Sequence, residues 1–146
     1  MNRKRFLQML TAAPLLAFQA KAAAPRVDVF KDPTCGCCGN WVAHLRKNGF
    51  DVSVQEVPDT AVYRRKYGVP PALGSCHTAV VSGYSIEGHV PASDIQRLLR
   101  EKPKAKGLAV PGMPVGSPGM EGPRVDPYAV ILFQADGTTS VYQRHS

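Results

Sequence analysis

A chain of 146 residues has the length of one domain with room for an appended segment, and 44% hydrophobic with 20% charged residues is a globular composition. The formal charge of +7 is concentrated at one end: residues 1–22 hold Arg3, Lys4, Arg5 and Lys21 and no acid, and +3 remains beyond them. That is an ordinary surface and excludes a nucleic-acid footprint.

Asn2-Arg3-Lys4-Arg5 is a basic lead, Phe6 to Phe18 is an apolar run too short to span a bilayer, and Ala20-Lys21-Ala22 has the small-x-small form of a cleavage site. Residues 1–22 therefore read as an export signal. Arg3-Lys4-Arg5-Phe6-Leu7 is similar to a twin-arginine signal, but Lys4 stands where the second arginine belongs, which favours the general secretory route. With no further long apolar run, the mature chain is expected to be soluble, free of the membrane and outside the cytoplasm.

Residues 23–26 are a linker. Val27 to Lys31 reads as a buried strand ended by Asp32-Pro33. Thr34-Cys35-Gly36-Cys37-Cys38-Gly39 follows, with three of the four cysteines in four positions. A helix is expected to start near Cys38 or Gly39, with Trp41, Val42 and Leu45 facing a core, and to stop at Asn48-Gly49. Phe50 to Val57 alternates as a strand, with Val52, Val54 and Val57 on one side. Pro58-Asp59-Thr60 opens a second helix that runs to Gly68. Val69 to Ser75 is an irregular loop leading to Cys76-His77 and a strand over Thr78 to Val81. Gly83 turns the chain into a strand over Tyr84 to Val90, and Pro91-Ala92-Ser93-Asp94 starts a third helix with Ile95, Leu98 and Leu99 on one face. Beyond Lys102 the character changes. Gly107 to Gly122 is rich in Gly and Pro and carries Met113 and Met120. Tyr128 to Gln134 and Thr138 to Gln143 flank Asp136-Gly137, a hairpin signal.

The order β-α-β-α-β-β-α, then a Met-bearing loop and a hairpin, predicts an α/β (α+β) mixed sheet with helices against it. That order resembles the thioredoxin fold, in which reactive thiols lie between the first strand and its helix and a second loop approaches them before the third strand. Here the second loop carries Cys76-His77. The expected division is an export signal at 1–22, a thioredoxin-like domain at 23–102 and a C-terminal extension at 103–146 that contributes to a metal site.

In an oxidising compartment four cysteines ordinarily form two disulfides. Here Cys37 and Cys38 are neighbours and Cys35–Cys37 would close a very small loop. Cys35–Cys38 has the C-x-x-C separation and can close, which leaves Cys37 and Cys76 for each other. The arrangement is poor for stapling. Thiolates bind metal, a helix N-terminus favours them, and three on one turn repel one another unless a cation is present. The spacing is tighter than structural zinc uses. Soft thiolate and thioether donors favour Cu(I), and Met113 and Met120 sit in a glycine-rich segment with few apolar neighbours to pack against. His77 divides evenly between ligand and bystander. If strand geometry begins at Cys76, only one of the pair faces the cluster. His89 is open in the same way, His44 is assigned to the surface or to a supporting contact, His145 is assigned no role, and Trp41 is core or a lid.

Cys35-Gly36-Cys37-Cys38 with Trp41, then Cys76-His77-Thr78, Ile86-Glu87-Gly88-His89-Val90-Pro91, and Gly112-Met113-Pro114 to Gly119-Met120, together resemble the CopG-type copper-resistance proteins. The likeness runs in order through nearly the whole mature chain. It implies a periplasmic thioredoxin-like protein whose extension helps bind metal, a thiolate-bridged cluster of several coppers, and Cu(I)/Cu(II) interconversion in copper resistance. A copper-dependent oxidoreductase is within that expectation. The implied ligands are Cys35, Cys37, Cys38 and Cys76, then Met113 and Met120, then His77 and His89. Copper efflux or chaperone proteins are the expected partners, and a monomer the expected state. Two competing readings stand beside it. One is a thiol–disulfide oxidoreductase of thioredoxin type built on Cys35 and Cys38, against which Cys37 fills an intervening position and Ser75-Cys76 stands where such enzymes carry a cis-proline. The other is a disulfide-stapled binding module.

Overall fold

The computed structural model describes Ala17 and residues 19–146. The export signal expected over 1–22 falls on residues that lie mostly outside them. The elements are β1 (Arg26–Lys31), α1 (Gly36–Lys47), β2 (Asp51–Glu56), α2 (Thr60–Lys66), β3 (His77–Val81), β4 (Tyr84–Glu87), α3 (Ala92–Glu101), β5 (Gly107–Ala109), β6 (Tyr128–Phe133) and β7 (Thr139–His145), with a 3-10 turn at Pro71–Leu73. They form one seven-stranded mixed sheet in the order β2-β1-β3-β4-β5-β6-β7. β1 runs parallel to β2, as a strand–helix–strand crossover requires. β3 is antiparallel to both β1 and β4. The mixed α/β architecture is the expected one.

Helix α1 begins at Gly36, two residues before the expected start, with Cys35 as its cap. The cause lies upstream: the Asp32 carbonyl accepts the Cys35 N–H at 3.1 Å, and the Asp32 carboxylate takes the Thr34 N–H. This turn commits the chain to the helix early. Cys38, Trp41, Val42 and Leu45 fall on one buried face at i, i+3, i+4 and i+7. Trp41 is fully buried and its indole N–H donates to the Val90 carbonyl at 2.8 Å, so it is core. The main core also takes Val27, Val29, Ile86, Ile95, Leu98, Leu108, Val110 and Val130. Val54, expected on the buried side with Val52, is exposed, while Val52 on the same edge strand β2 is buried.

Two departures are informative. Strand β4 ends at Glu87, short of the expected Val90, because Gly88 turns the backbone. Strand β5 lies inside the segment read as a loop; at three residues it is too short to show a period. It bridges β4 and β6 and so joins the hairpin to the rest of the sheet. Gly107 makes this junction feasible, since a Cβ there would lie far inside van der Waals contact with the Ser85 carbonyl oxygen.

Gly107→Ala is expected to lower unfolding free energy by about 1–3 kcal/mol or more, because the obstacle is backbone rather than a movable side chain. Gly39→Ala, in an open position on α1 with nothing near a new Cβ, is expected to raise it by about 0.5–1 kcal/mol. Urea denaturation of both variants checks the pair.

Candidate metal centre

Four segments meet at the N-terminus of α1. The first is the helix start itself. Cys35 caps it without a side-chain hydrogen bond, and no acidic residue lies in the first turn. The first-turn N–H groups and the positive end of the helix dipole are thus left to the sulfurs. Cys38 is buried, while Cys35 and Cys37 are partly exposed. Cys35 and Cys38 are joined by a disulfide, and Cys37 and Cys76 are unbonded. Of the two pairings left open by spacing, one has closed and the other has not.

The second segment is the loop that delivers Cys76. A buried carboxylate holds it. Glu87 is fully buried and accepts from Arg64 Nε at 2.7 Å, the Ser75 N–H at 2.9 Å and Thr78 Oγ1 at 2.6 Å. Arg64 also donates to the Ser75 carbonyl at 2.6 Å. Both backbone polar groups of Ser75 are therefore held, and the sulfur of the next residue is aimed. The Sγ atoms of Cys35, Cys37, Cys38 and Cys76 all lie within 4.8 Å of one another.

The third segment carries His89. Its Nδ1 is 2.7 Å from the Pro118 carbonyl oxygen, which can only accept, so Nδ1 bears the hydrogen. The Nε2 lone pair then faces Cys76 Sγ at 3.0 Å. A backbone carbonyl on one ring nitrogen is the arrangement that orients a metal-binding histidine. His77 converges as well, with Nδ1 3.3 Å from Cys76 Sγ. The strand starts at His77, not Cys76, so face alternation does not separate the two. His77 Nε2 is buried and has no hydrogen-bond partner among the described residues. Cys76, His77 and His89 form a second group whose donor atoms also lie within 4.8 Å, and Cys76 is common to both groups.

The fourth segment is the methionine loop. Ser75 Oγ donates to the Gly112 carbonyl at its start. Met113 is half exposed, with its sulfur 3.8 Å from Cys37 Sγ. Met120 is half-buried, and its backbone closes the loop through the Gly116 N–H and onto the Ser117 carbonyl. Gly119 presses against α1: a Cβ there would meet the Cys37 carbonyl oxygen at 2.8 Å, the Trp41 nitrogen at 2.9 Å and His89 Nδ1 at 3.0 Å. Glu121 folds back to accept the Gly119 N–H at 3.0 Å, which holds its carboxyl below the usual range.

Burial sets the protonation states. It pushes the Cys76 thiol up to about 12, so this sulfur ionises only with a cation beside it. It lowers His77 to about 3, and lowers His89 and His44 as well. Two neutral imidazoles, a Cys76 thiol that needs a positive ion to ionise, and a thioether suit a soft metal ion.

His44 accepts the Ala92 N–H through Nε2 at 3.0 Å, tying α1 to the start of α3. His145, assigned no role from sequence, sits 2.7 Å from the buried Asp94 carboxylate and stacks on Tyr128, which anchors the hairpin. Arg64, Ser75 and Glu87 were not picked out from sequence. The available signal was Glu87 itself, the one charged residue in the short strand Tyr84–Glu87.

A solved structure titled copper resistance protein CopG, form 2, superposes with a TM-score of 0.80 at 47% identity, covering 84% of this chain and 99% of that one. This chain belongs to the CopG copper-resistance family. Form 1 gives a TM-score of 0.78 at 48% identity, covering 82% and 96% of the two chains. A family described as "Protein of unknown function, DUF411" matches residues 73–120, the stretch from the Cys76 loop to Met120. No curated protein matches.

A histidine held neutral by burial makes the folded state lose stability as pH falls. Above the unfolded value near 6.5 His77 is neutral in both states; between there and about 3 only the unfolded chain takes the proton. Metal-free protein is expected to weaken on acidification below pH 6.5 by up to about 1.4 kcal/mol per pH unit from this residue. His44 and His89 add to the trend. Urea midpoints at pH 7, 6 and 5 should show the slope, and His77→Gln should flatten it.

Proposed function

We propose that this chain is an exported, periplasmic copper-binding protein of copper resistance that holds several copper ions in a thiolate-bridged cluster. The observation that carries the reading is Cys76, the one residue common to the four-sulfur group and to the sulfur–imidazole group. A sulfur between two donor sets is suited to bridge metal ions. Cys35, Cys37, Cys38 and Cys76 are the principal ligands, His89 and Met113 complete the two ends, and His77 and Met120 are the further candidate ligands. The proximity of CopG structures, titled as copper resistance proteins, supports copper over other soft ions.

Export through residues 1–22, a thioredoxin-like unit at 23–102 and a metal-closing extension at 103–146 belong to the same proposal. No described helix is long and apolar enough to cross a membrane. Delivery to or from copper efflux or chaperone proteins, with the chain acting as a monomer, completes it. Cu(I)/Cu(II) interconversion fits a site that offers both thiolate and imidazole donors.

A second reading is favoured by one observation, the Cys35–Cys38 disulfide. A C-x-x-C disulfide at a helix N-terminus is also what a thiol–disulfide oxidoreductase of thioredoxin type presents.

Anaerobic titration of the reduced mature chain with tetrakis(acetonitrile)copper(I) separates the two. Several coppers retained per chain, with thiols protected from alkylation, is the expected result. No retained copper together with efficient reduction of a protein disulfide would decide for the oxidoreductase. Cys76→Ser is expected to abolish retention beyond a single copper.

The methionine loop is tested by point substitution, because Leu108, Val110 and Val130 belong to the main core and a deletion from Gly107 would remove them. Met113→Ala should speed copper loss to a chelator by up to about tenfold, equivalent to about 1.4 kcal/mol. Unchanged retention in both Met113→Ala and Met120→Ala would remove the loop sulfurs from the site.

A further inference from the structure

The four cysteines are not in one chemical state. Cys35 and Cys38 are bonded to each other, with Cα atoms 5.5 Å apart, a separation that a disulfide accepts without moving the backbone. Cys37 and Cys76 are unbonded although their sulfurs lie within 4.8 Å of each other. The donors left in this oxidised state still form a site. Cys37 Sγ has the Met113 thioether 3.8 Å away. Cys76 Sγ has His89 Nε2 at 3.0 Å and His77 Nδ1 at 3.3 Å. Each free sulfur thus keeps a second soft or borderline donor beside it, which satisfies the low coordination number of Cu(I).

We infer that the cysteines divide their work: Cys35 and Cys38 are an electron-pair store that reduces two Cu(II) ions, and Cys37 and Cys76, with Met113 and His89, hold the two Cu(I) ions produced. This activity rests on the copper-binding reading above.

In the step, the Cys35 and Cys38 thiols and two Cu(II) give the Cys35–Cys38 disulfide, two Cu(I) and two protons. Two S–H bonds break, one S–S bond forms, and one electron passes to each metal. No other oxidant or reductant enters. The close packing of the four sulfurs lets both coppers be in contact with the dithiol when the electrons move. It also explains the extra cysteine between Cys35 and Cys38. In an ordinary C-x-x-C turn, oxidation leaves no thiol behind and a soft ion would be released. Here Cys37 lies in the same turn, retains its thiol, and is joined by Cys76 from the second loop. Oxidation therefore changes the site's ligand set without emptying it.

The test starts from fully reduced, metal-free mature chain with the reductant removed. Two equivalents of copper(II) sulfate are added without oxygen. Paramagnetic resonance follows Cu(II), desalting and metal analysis measure retained copper, and mass mapping after acid stripping and alkylation locates the disulfide. The expected result is loss of the Cu(II) signal, two retained coppers, a single Cys35–Cys38 disulfide, and alkylated Cys37 and Cys76. A disulfide that includes Cys37 or Cys76, a persistent Cu(II) signal, or loss of copper on desalting overturns the division of work.

A parallel arm loads the reduced chain with Cu(I). Failure there sinks the copper-binding reading itself, whereas success there with a different disulfide sinks only the present inference. Cys37→Ser separates the two roles within one protein: it should still consume Cu(II) and form the Cys35–Cys38 bond, but retain about half the copper. Equal retention by Cys37→Ser and the native chain would overturn the assignment of Cys37 as a holding ligand.

Discussion

The candidate centre depends on one buried ion pair. Glu87 is removed from water, and a buried charge is tolerated only when paired and fully hydrogen-bonded. Arg64 from α2, the Ser75 backbone and the Thr78 hydroxyl meet that demand together. The consequence is geometric. Helix α2, strand β4 and the loop before β3 cannot shift independently without leaving the carboxylate short of a donor. Cys76, one residue beyond Ser75, inherits that rigidity. A buried pair of this kind contributes little net stability, so its physical value here lies in aiming a sulfur that comes from a loop.

The remaining walls of the site are placed by close approach, not by charge. Gly119 lets the methionine loop touch the first turn of α1, and the Pro118 carbonyl beside it fixes the tautomer of His89. The same few residues therefore bring Met113 to the mouth and turn an imidazole lone pair toward Cys76. Because the loop is continuous with β5 and the hairpin, which extend the main sheet, it is held at both ends by sheet structure. The Asp94–His145 contact secures the hairpin against α3 from the other end.

Sulfur chemistry in this setting has two requirements that pull apart. Metal ligation needs thiolates, while burial at Cys76 resists ionisation until a cation arrives. Disulfide formation consumes thiols that ligation needs. A turn with three cysteines, opposed by a fourth, can satisfy both requirements, since one pair can be oxidised while the other pair remains.

The order and type of the main elements were legible in the chain. Periodicity over Trp41, Val42 and Leu45, the Asn48-Gly49 stop and the Asp136-Gly137 turn are local signals, and local backbone physics decides them. So were the thiols and methionines, because donor softness belongs to the side chain wherever it sits. The sequence alone did not reveal β5, which is shorter than any period, or the early start of α1, which is set by the Asp32 turn. Nor did it show the part played by Arg64 and Glu87, which are 23 residues apart and meet only because α2 packs across the sheet. Which cysteines pair, which imidazole nitrogen faces a sulfur, and which methionine stands at the mouth depend on distances of a few ångströms between four separate segments. Those distances are fixed by packing among residues remote in the chain, and only the tertiary structure decided them.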